Sequence, residues 1–280
     1  MMRPSMYVCC ALLLVTAGCA VAQSGTPNWA SAHPWHGESI EAAGQVRVWE
    51  GDGNETVSVG VRGAMGENAD ARVQYFVMDT EGDDPINASL RRSKLGVLAF
   101  TFTWPVTEGD YMVSVQPGFE FITAGMRGTS AVTGQSAVSD DVVTTLAVPV
   151  ELAWSDSTRL IVGPKAACYG STARTTFGTS IDSFGTIVAL GGGVVHDFGT
   201  WELFGDAAAV VEGNNTINET TNLVDDDFVW SAGARWQTGG PEDWVVDLFA
   251  TNAAGPTAAT SLLAAPDQSV GVGLRVGRAF

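Results

Sequence analysis

The chain has little positive charge and, after its first 22 residues, almost no cysteine. Fourteen Lys and Arg stand against 31 Asp and Glu, for a formal net charge of −17, and only Lys94 and Lys165 are lysines. Phosphate contacts require a basic face, so this balance argues against nucleic acid as a partner. Cys168 is the single cysteine after residue 22. That part of the chain therefore has no cysteine pair for a disulfide and no four-cysteine metal site.

Long apolar runs are also missing after residue 22. A membrane-spanning helix needs about 20 consecutive apolar residues, and the sequence has neither such a run nor a convincing 3.6-residue period. Yet 45% of the residues are hydrophobic and only 16% are charged, which is too apolar a composition for a disordered chain. The protein is therefore expected to be either soluble or embedded in a membrane as strands.

The first 22 residues have the pattern of a secretory signal peptide. Arg3 supplies the positive start, residues 7–15 the apolar run, and an Ala-x-Ala cleavage site ends at Ala22. The alternative is lipoprotein processing at Cys19. Ordinary cleavage is favoured, because Thr16 stands where a lipoprotein signal has an apolar residue.

Apolar residues recur at every second position from residue 45 onward. Val270, Val272, Leu274 and Val276, for example, alternate with Gly and Arg. Such alternation indicates strands with one apolar face and one polar or small face. Turn residues divide the chain into about twelve strands, and poor alternation in two of them leaves roughly ten to fourteen open. The predicted spans are 40–50, 55–65, 70–79, 94–104, 110–122, 143–155, 157–169, 181–195, 200–212, 227–237, 243–253 and 268–280.

The connections between these strands alternate in length. Short turns lie at 66–69, 105–109, 156, 196–199 and 238–242, and longer polar loops lie at 80–93, 123–142, 170–180, 213–226 and 254–267. This rhythm is typical of an outer-membrane barrel, whereas a soluble sandwich gives no reason for it. We therefore predict an all-β fold, a single antiparallel transmembrane β-barrel of about 12 strands over residues 40–280. It would follow a signal peptide (1–22) and an N-terminal periplasmic segment (23–39), with no cofactor implied.

Aromatic residues recur beside four of the five short turns. In a closed barrel they would form a girdle at the lipid headgroups of one rim. The predicted girdle consists of Trp104, Tyr111, Trp154, Trp201, Trp236 and Trp244.

The polar faces of the strands are predicted to line the lumen. Their larger members are Arg47, Arg62, Arg72, Gln74, Gln116, Glu120, Glu151, Glu202, Asp206, Asp247 and Arg275. Charges of both signs can line a wet channel or pair with one another and plug it. About twelve strands lie between packed barrels of eight and open pores of 16–18, so both outcomes stay open. In an open pore the five carboxylates would favour cations.

The last residues resemble the C-terminal signal strand of bacterial outer-membrane proteins. In that signal, alternate apolar residues lead to a terminal aromatic, and the matching positions are Val272, Leu274, Val276 and Phe280. Arg278 departs from the pattern, which has an apolar or aromatic residue there. The resemblance implies recognition by the barrel-assembly machinery. Outer-membrane lipid and lipopolysaccharide would then be the surroundings.

A looser resemblance covers about a tenth of the chain. The segment ESIEAAGQ (38–45) and the hairpin VGVRGAMGENADARV (59–73) resemble the opening of the outer-membrane transporters grouped with the MetA pathway of phenol degradation proteins. Gly63 and Ala64 replace the tyrosine of that family's hairpin. The resemblance implies passive passage of small, often apolar, molecules.

Two other classes of protein, an outer-membrane phospholipase and a soluble β-sandwich, fit the sequence less well than a channel does. A phospholipase in the same fold would need a serine paired with a histidine, and none of His33, His36 and His196 has a convincing serine partner. His33 and His36 are also too few for a metal site. A soluble exported β-sandwich used for adhesion or binding would need polar outward faces, and most of the predicted outward faces are rich in Val, Leu and Phe.

Overall fold

The computed structural model describes residues 26–28, 40–49, 55–65, 69–79, 92–107, 111–126, 138–169, 184–218, 223–238, 244–265 and 269–279. These residues are almost entirely β-structure. The strands are β1 (Ile40–Trp49), β2 (Glu55–Ala64), β3 (Asp70–Asp79), β4 (Arg92–Thr107), β5 (Tyr111–Met126), β6 (Val138–Ala147), β7 (Val150–Ser155), β8 (Thr158–Cys168), β9 (Thr186–Asp197), β10 (Trp201–Glu212), β11 (Thr216–Asn218), β12 (Leu223–Asp225), β13 (Val229–Gln237), β14 (Trp244–Thr251) and β15 (Gly271–Ala279).

The main sheet closes into a barrel. Its thirteen strands pair antiparallel with their neighbours along the chain, and β1 pairs with β15 to complete the ring. Because β6 and β7 share one place between β5 and β8, the thirteen strands fill twelve positions in the wall. This confirms the predicted closed barrel of about twelve strands.

Pro149 interrupts the strand that was predicted over 143–155. Proline has no N–H to donate to a ladder, so the regular pairing stops between β6 and β7. The register is nevertheless the same on both sides, since Ala147 pairs with Lys165 and Val150 pairs with Val162. The two pieces therefore act as one wall strand with a local break.

Little helix accompanies the barrel. A 3-10 turn, η1 (Thr260–Leu262), lies between β14 and β15, and β11 and β12 form a small separate hairpin. No helix in the described ranges is long and apolar enough to cross a membrane.

The outward face of the wall is an apolar belt. On β15, the side chains of Val272 and Leu274 are 54% and 48% exposed, whereas that of Arg275, the residue after Leu274, is buried. The same alternation exposes large apolar side chains on every wall strand from β1 to β10, including Val48, Val61, Tyr75, Phe121, Leu146, Val162, Leu190 and Leu203. An exposed apolar surface that runs around the whole barrel matches a lipid environment.

The aromatic residues of the predicted girdle lie beside the short turns. Trp104, Tyr111, Trp154, Trp201 and Trp236 are exposed, and Trp244 is half-buried. Trp201 pairs with Trp236 between β10 and β13. Arg278 stands opposite Trp244, with its guanidinium 5.4 Å from the centre of the indole ring. This stacking accounts for an arginine at a position where the signal strand has an apolar residue. Phe280 lies outside the described residues.

Candidate functional site in the barrel lumen

All eleven residues predicted to line the lumen lie on inward faces. Arg72 and Gln74 are half-buried, and the other nine are buried. Strand geometry explains this placement, because side chains alternate between the two faces of a strand and the outward positions carry the apolar belt.

An ion-pair network joins the wall strands near the short-turn end. The fully buried Arg235 donates from Nη1 to Glu202 Oε2 (2.8 Å) and from Nε to Asp247 Oδ1 (2.9 Å). Arg275 Nε lies 3.1 Å from the other oxygen of Asp247. Arg159 extends the network, at 3.3 Å from Glu151 and 3.1 Å from Glu202. Opposite charges on adjacent or nearby strands thus pair along the inner wall of the barrel.

Arg235 and Arg159 were missing from the predicted lumen set. Arg235 has the inward parity of its strand, because it alternates with the outward Trp236. Strict parity counting over 227–237 would have found it. Arg159 lies close to a turn, where parity is a weaker signal.

A second ion pair closes the β2–β3 hairpin on the inside. Arg62 Nε and Nη2 donate to the two oxygens of Asp70 at 2.9 and 2.6 Å. Such two-point pairing fixes the orientation of both side chains.

Residues 252–265, between β14 and β15, fold into the lumen; we call them the inward segment. The carboxylate of Glu120 accepts hydrogen bonds from Thr257 Oγ1 and from the Ala259 N–H, both at 2.6 Å. Arg47 Nη1 donates to the Ala253 carbonyl at 2.9 Å, and Lys165 Nζ donates to Ser261 Oγ. Buried charged side chains of the wall therefore hold the segment by its backbone and hydroxyl groups.

Thr26, Pro27 and Asn28 also lie inside the barrel. Asn28 Nδ2 donates to Asp206 Oδ1 at 3.0 Å, and the backbone carbonyl of Asn28 accepts from Lys165 Nζ at 3.0 Å. This placement differs from the expected periplasmic segment over 23–39. The physical reason is that Asp206 and Lys165 are buried and need polar partners. The rest of 23–39 lies outside the described residues.

An apolar core fills the lumen around the inward segment. Leu262 and Leu263 of the segment pack with inward side chains of the wall, including Phe76, Val97, Ile122, Val143 and Ile187. Inward glycines leave room for large neighbouring side chains. At Gly273 a Cβ atom would lie 2.3 Å from the Phe249 ring. The lumen at this level is packed with side chains.

Asn215 ties the inward segment to the loop that contains β11 and β12. Its side-chain amide donates to the carbonyls of Leu262 and Asp227, both at 2.9 Å, and its carbonyl accepts from the Ala264 N–H at 2.9 Å. Asn215 itself is fully buried. One side chain and its peptide group therefore hold together two loops on the long-loop side.

Two small cavities lie between the ion pairs and the inward segment. The segment cavity, of about 50 Å³, is lined by Lys165 and Ser261. The turn-side cavity, of about 40 Å³, is lined by Arg62 and Arg275. Both are also lined by Pro27, Arg72, Gln74 and Pro256. At about 10–15 Å³ for each water molecule, each cavity has room for roughly three to five water molecules.

The expected surplus of acid in the lumen is absent from the described residues. Among the side chains that the structure describes, seven cations and six carboxylates lie inside the barrel. The cations are Arg47, Arg62, Arg72, Arg159, Lys165, Arg235 and Arg275, and the carboxylates are Asp70, Glu120, Glu151, Glu202, Asp206 and Asp247. Each of these carboxylates accepts a hydrogen bond from a described group.

The one described histidine has no serine among its contacts. His196 Nδ1 lies 2.7 Å from Thr158 Oγ1, and the ring packs edge-on against Phe198 at 4.5 Å between centroids. His33 and His36 lie outside the described residues.

Comparison with known proteins bears on the fold. No family model matches the chain, and no curated protein is similar to it in sequence. Among solved structures, an outer-membrane channel from Pseudomonas putida F1 superposes over all of both chains, with a TM-score of 0.52 and 10% sequence identity. The fold is that of an outer-membrane β-barrel.

Two further solved structures are less similar to this barrel. The translocator domain of the autotransporter NalP from Neisseria meningitidis shares 13% identity over 86% of this chain and 87% of that chain, with a TM-score of 0.44. Phospholipase A from the outer membrane of Escherichia coli shares 9% identity over 88% of this chain and 97% of that chain, with a TM-score of 0.42.

Proposed function

We propose that this barrel is a passive outer-membrane channel for small molecules, and that the inward segment closes it in the conformation described. The observation that carries the proposal is that the closure is made by pieces of chain that do not belong to the wall. The inward segment and residues 26–28 meet inside a ring of strands that is complete without them. The Pseudomonas neighbour is described as an outer-membrane channel, which agrees with this proposal.

The local structure supports a segment that moves as a unit. Loops held by a few side-chain contacts open at a lower free energy than the strands of a closed sheet. The inward segment is hydrogen-bonded to side chains of Arg47, Glu120, Lys165 and Tyr169, and Asn215 holds it from the loop side. Displacement of this segment would connect the water-sized cavities to the long-loop end of the barrel.

The proposal also implies how the protein reaches the outer membrane and what it contacts there. The signal peptide would be removed on export, and β15 would be recognised by the barrel-assembly machinery. The apolar belt would contact outer-membrane lipid, and the long loops would contact lipopolysaccharide. The proposed channel needs no cofactor and carries out no catalysis.

A plugged structural barrel is the second candidate. The apolar core around Leu262 and Leu263 favours it, and so does the pairing of Glu202 and Asp247 with Arg235. In that case the lumen contents would serve stability alone.

Single-channel recording of the refolded mature chain in a planar bilayer distinguishes a channel from a plugged structural barrel. We expect the parent protein to show infrequent openings and Asn215→Ala to open more often, because the variant loses the amide that holds Leu262 and Asp227. Asn214→Ala, a half-buried neighbour, is the matched control and should behave like the parent. Silence from all three proteins, with folding checked by circular dichroism, would leave the plugged barrel as the function.

A further inference from the structure

Residues 26–28 lie inside the barrel without belonging to its wall; we call them the N-terminal plug. Within the described ranges they form no strand and pair with no strand of the ring. Thr26 and Asn28 are nevertheless buried, and Pro27 is half-buried. Because the backbone of the plug is not part of a sheet, its polar groups depend on the side chains around it.

Asp206 is the centre of the contacts that hold the plug. Its Oδ1 accepts from Asn28 Nδ2 at 3.0 Å, and its Oδ2 accepts from the Asn28 backbone N–H at 3.4 Å. The Thr26 side chain and Ser231 Oγ are hydrogen-bonded to the same carboxylate. A buried carboxylate needs hydrogen-bond donors, and all of these donors except Ser231 belong to the plug.

Both backbone polar groups of Asn28 have a partner on the wall. Asp206 accepts from the N–H, and Lys165 Nζ donates to the carbonyl at 3.0 Å. The side-chain nitrogen of Asn28 also lies 3.5 Å from Thr251 Oγ1. An aspartate in place of Asn28 would present an acceptor where Asp206 needs a donor. The wall therefore matches a peptide unit with an amide side chain.

Gly193 leaves the space that the Thr26 side chain fills. A Cβ atom at Gly193 would lie 2.9 Å from Thr26 Cγ2 and 3.2 Å from Asp206 Cβ. At Gly191 and Gly192 the nearest atom to such a Cβ is instead a backbone oxygen of the wall, at 2.2 Å. In this run of three glycines, Gly193 is thus the one whose missing side chain makes room for the plug.

From these contacts we infer that the wall contains a binding site for a short peptide segment with asparagine, and that the plug fills it as a detachable stopper. The site, which we call the plug pocket, is formed by Lys165, Gly193, Asp206, Ser231 and Thr251. Contacts made without strand pairing open at a lower free energy than the sheet itself. Pro27 borders both cavities, so departure of the plug would open the space between them. The role as a stopper rests on the proposed channel, whereas peptide binding does not.

The reactivity of a cysteine at position 27 tests whether the plug detaches. The refolded mature chain carries Pro27→Cys and Cys168→Ser, and its rate of reaction with a water-soluble thiol reagent is measured in detergent. Adding Asn28→Asp should raise this rate about tenfold, because a hydrogen bond to a buried charge is lost. Asn28 lies outside the wall, so this variant leaves the barrel strands unchanged. Asn214→Asp, the same change on an outer loop, should leave the rate as it was.

A change on the wall side of the plug pocket gives a second test of release. Gly193→Ala adds a methyl group where Thr26 packs and should also speed the reaction at position 27. Gly205→Ala is the matched control on the next strand, since a Cβ there has its nearest neighbour at 3.7 Å. Equal rates in the parent, Asn28→Asp and Gly193→Ala proteins would overturn the detachable plug.

Peptide added from outside tests the binding site itself. The peptide GTPNWA copies residues 25–30 and is added to the full chain that carries Asn28→Asp. A ligand that binds only the folded state raises the melting temperature, so we expect a rise with this peptide. The same peptide with Asp in place of Asn should have no effect. Equal melting temperatures with the two peptides would overturn the site.

These outcomes are separate from that of the bilayer experiment. Release of the plug and capture of the peptide in a protein that never conducts would uphold the plug pocket and remove the channel. Conductance by Asn215→Ala, with no change of reactivity at position 27 in the plug variants, would uphold the channel and remove the detachable plug.

Discussion

Arg235 shows at the scale of one residue how the lumen tolerates buried charge. It is fully buried and contacts both Glu202 and Asp247, while Phe204 packs against its guanidinium at 5.5 Å from the ring centre. Buried ion pairs add little net stability compared with apolar packing, but loss of one partner leaves an unpaired charge in a poorly solvated place. The stability of this part of the barrel should therefore depend strongly on Arg235.

Replacement of Arg235 by methionine tests that dependence. We expect the free energy of unfolding to fall by about 2–3 kcal/mol, because Glu202 and Asp247 lose their shared partner and keep only Arg159 and Arg275. Urea titration in lipid vesicles, followed by tryptophan fluorescence, gives the measurement. Arg278→Met is the control and should cost no more than about 1 kcal/mol, since its contact with Trp244 is a single cation–π pair at the rim. A loss for Arg235→Met as small as that of the control would contradict the argument.

The sequence predicted most of the charged residues that face inward, but not which of them pair. Alternation along each strand placed Glu202 and Asp247 in the lumen, because parity depends only on the local period. Their meeting at Arg235 depends on the register between β10, β13 and β14. Register is set by contacts between strands, and a single strand's sequence does not contain it.

At the scale of elements, the outward face of β15 depends on lipid contact. Val272 and Leu274 are exposed on the same face, two residues apart. An arginine in place of Leu274 should lower the free energy of unfolding by about 2–4 kcal/mol if the position is near the bilayer midplane. Leu274→Ala removes apolar area without adding charge and should cost less. If Leu274→Arg unfolds at the same urea concentration as the parent in vesicles, the assigned face is wrong.

The strands were far easier to predict than the pieces that fill the barrel. Lipid on one side and a polar lumen on the other impose a period of two, so the predicted spans match β1 to β3 almost residue for residue. The inward segment has the small and polar composition of an ordinary outer loop. Leu262 and Leu263 are its only large apolar residues, and such a pair alone does not tell whether a loop folds inward.

At the scale of the whole molecule, the apolar belt determines which cell fraction should contain the protein. A barrel with exposed Val, Leu and Phe around its wall needs lipid or detergent. After cell fractionation we expect the protein in the membrane pellet, with release only by detergent. Recovery from the periplasm or medium without detergent would instead support a soluble β-sandwich.

The charge of the whole molecule is distributed unevenly. Inside the barrel, the described cations and carboxylates nearly cancel, at seven against six. The net charge of −17 must therefore come from residues other than these thirteen. Composition could not reveal this, because it counts charges without saying which side of the wall they occupy.

The pieces that fill the lumen are attached to the two strands that close the ring. Residues 26–28 precede β1, the inward segment leads directly into β15, and β1 and β15 pair with each other along nine residue positions. We therefore expect the pairing of β1 with β15 to be coupled to the filling of the interior. A chain that stalls before these two strands pair should also lack the hydrogen bonds that join Lys165 and Asp206 to Asn28, and Lys165 to Ser261.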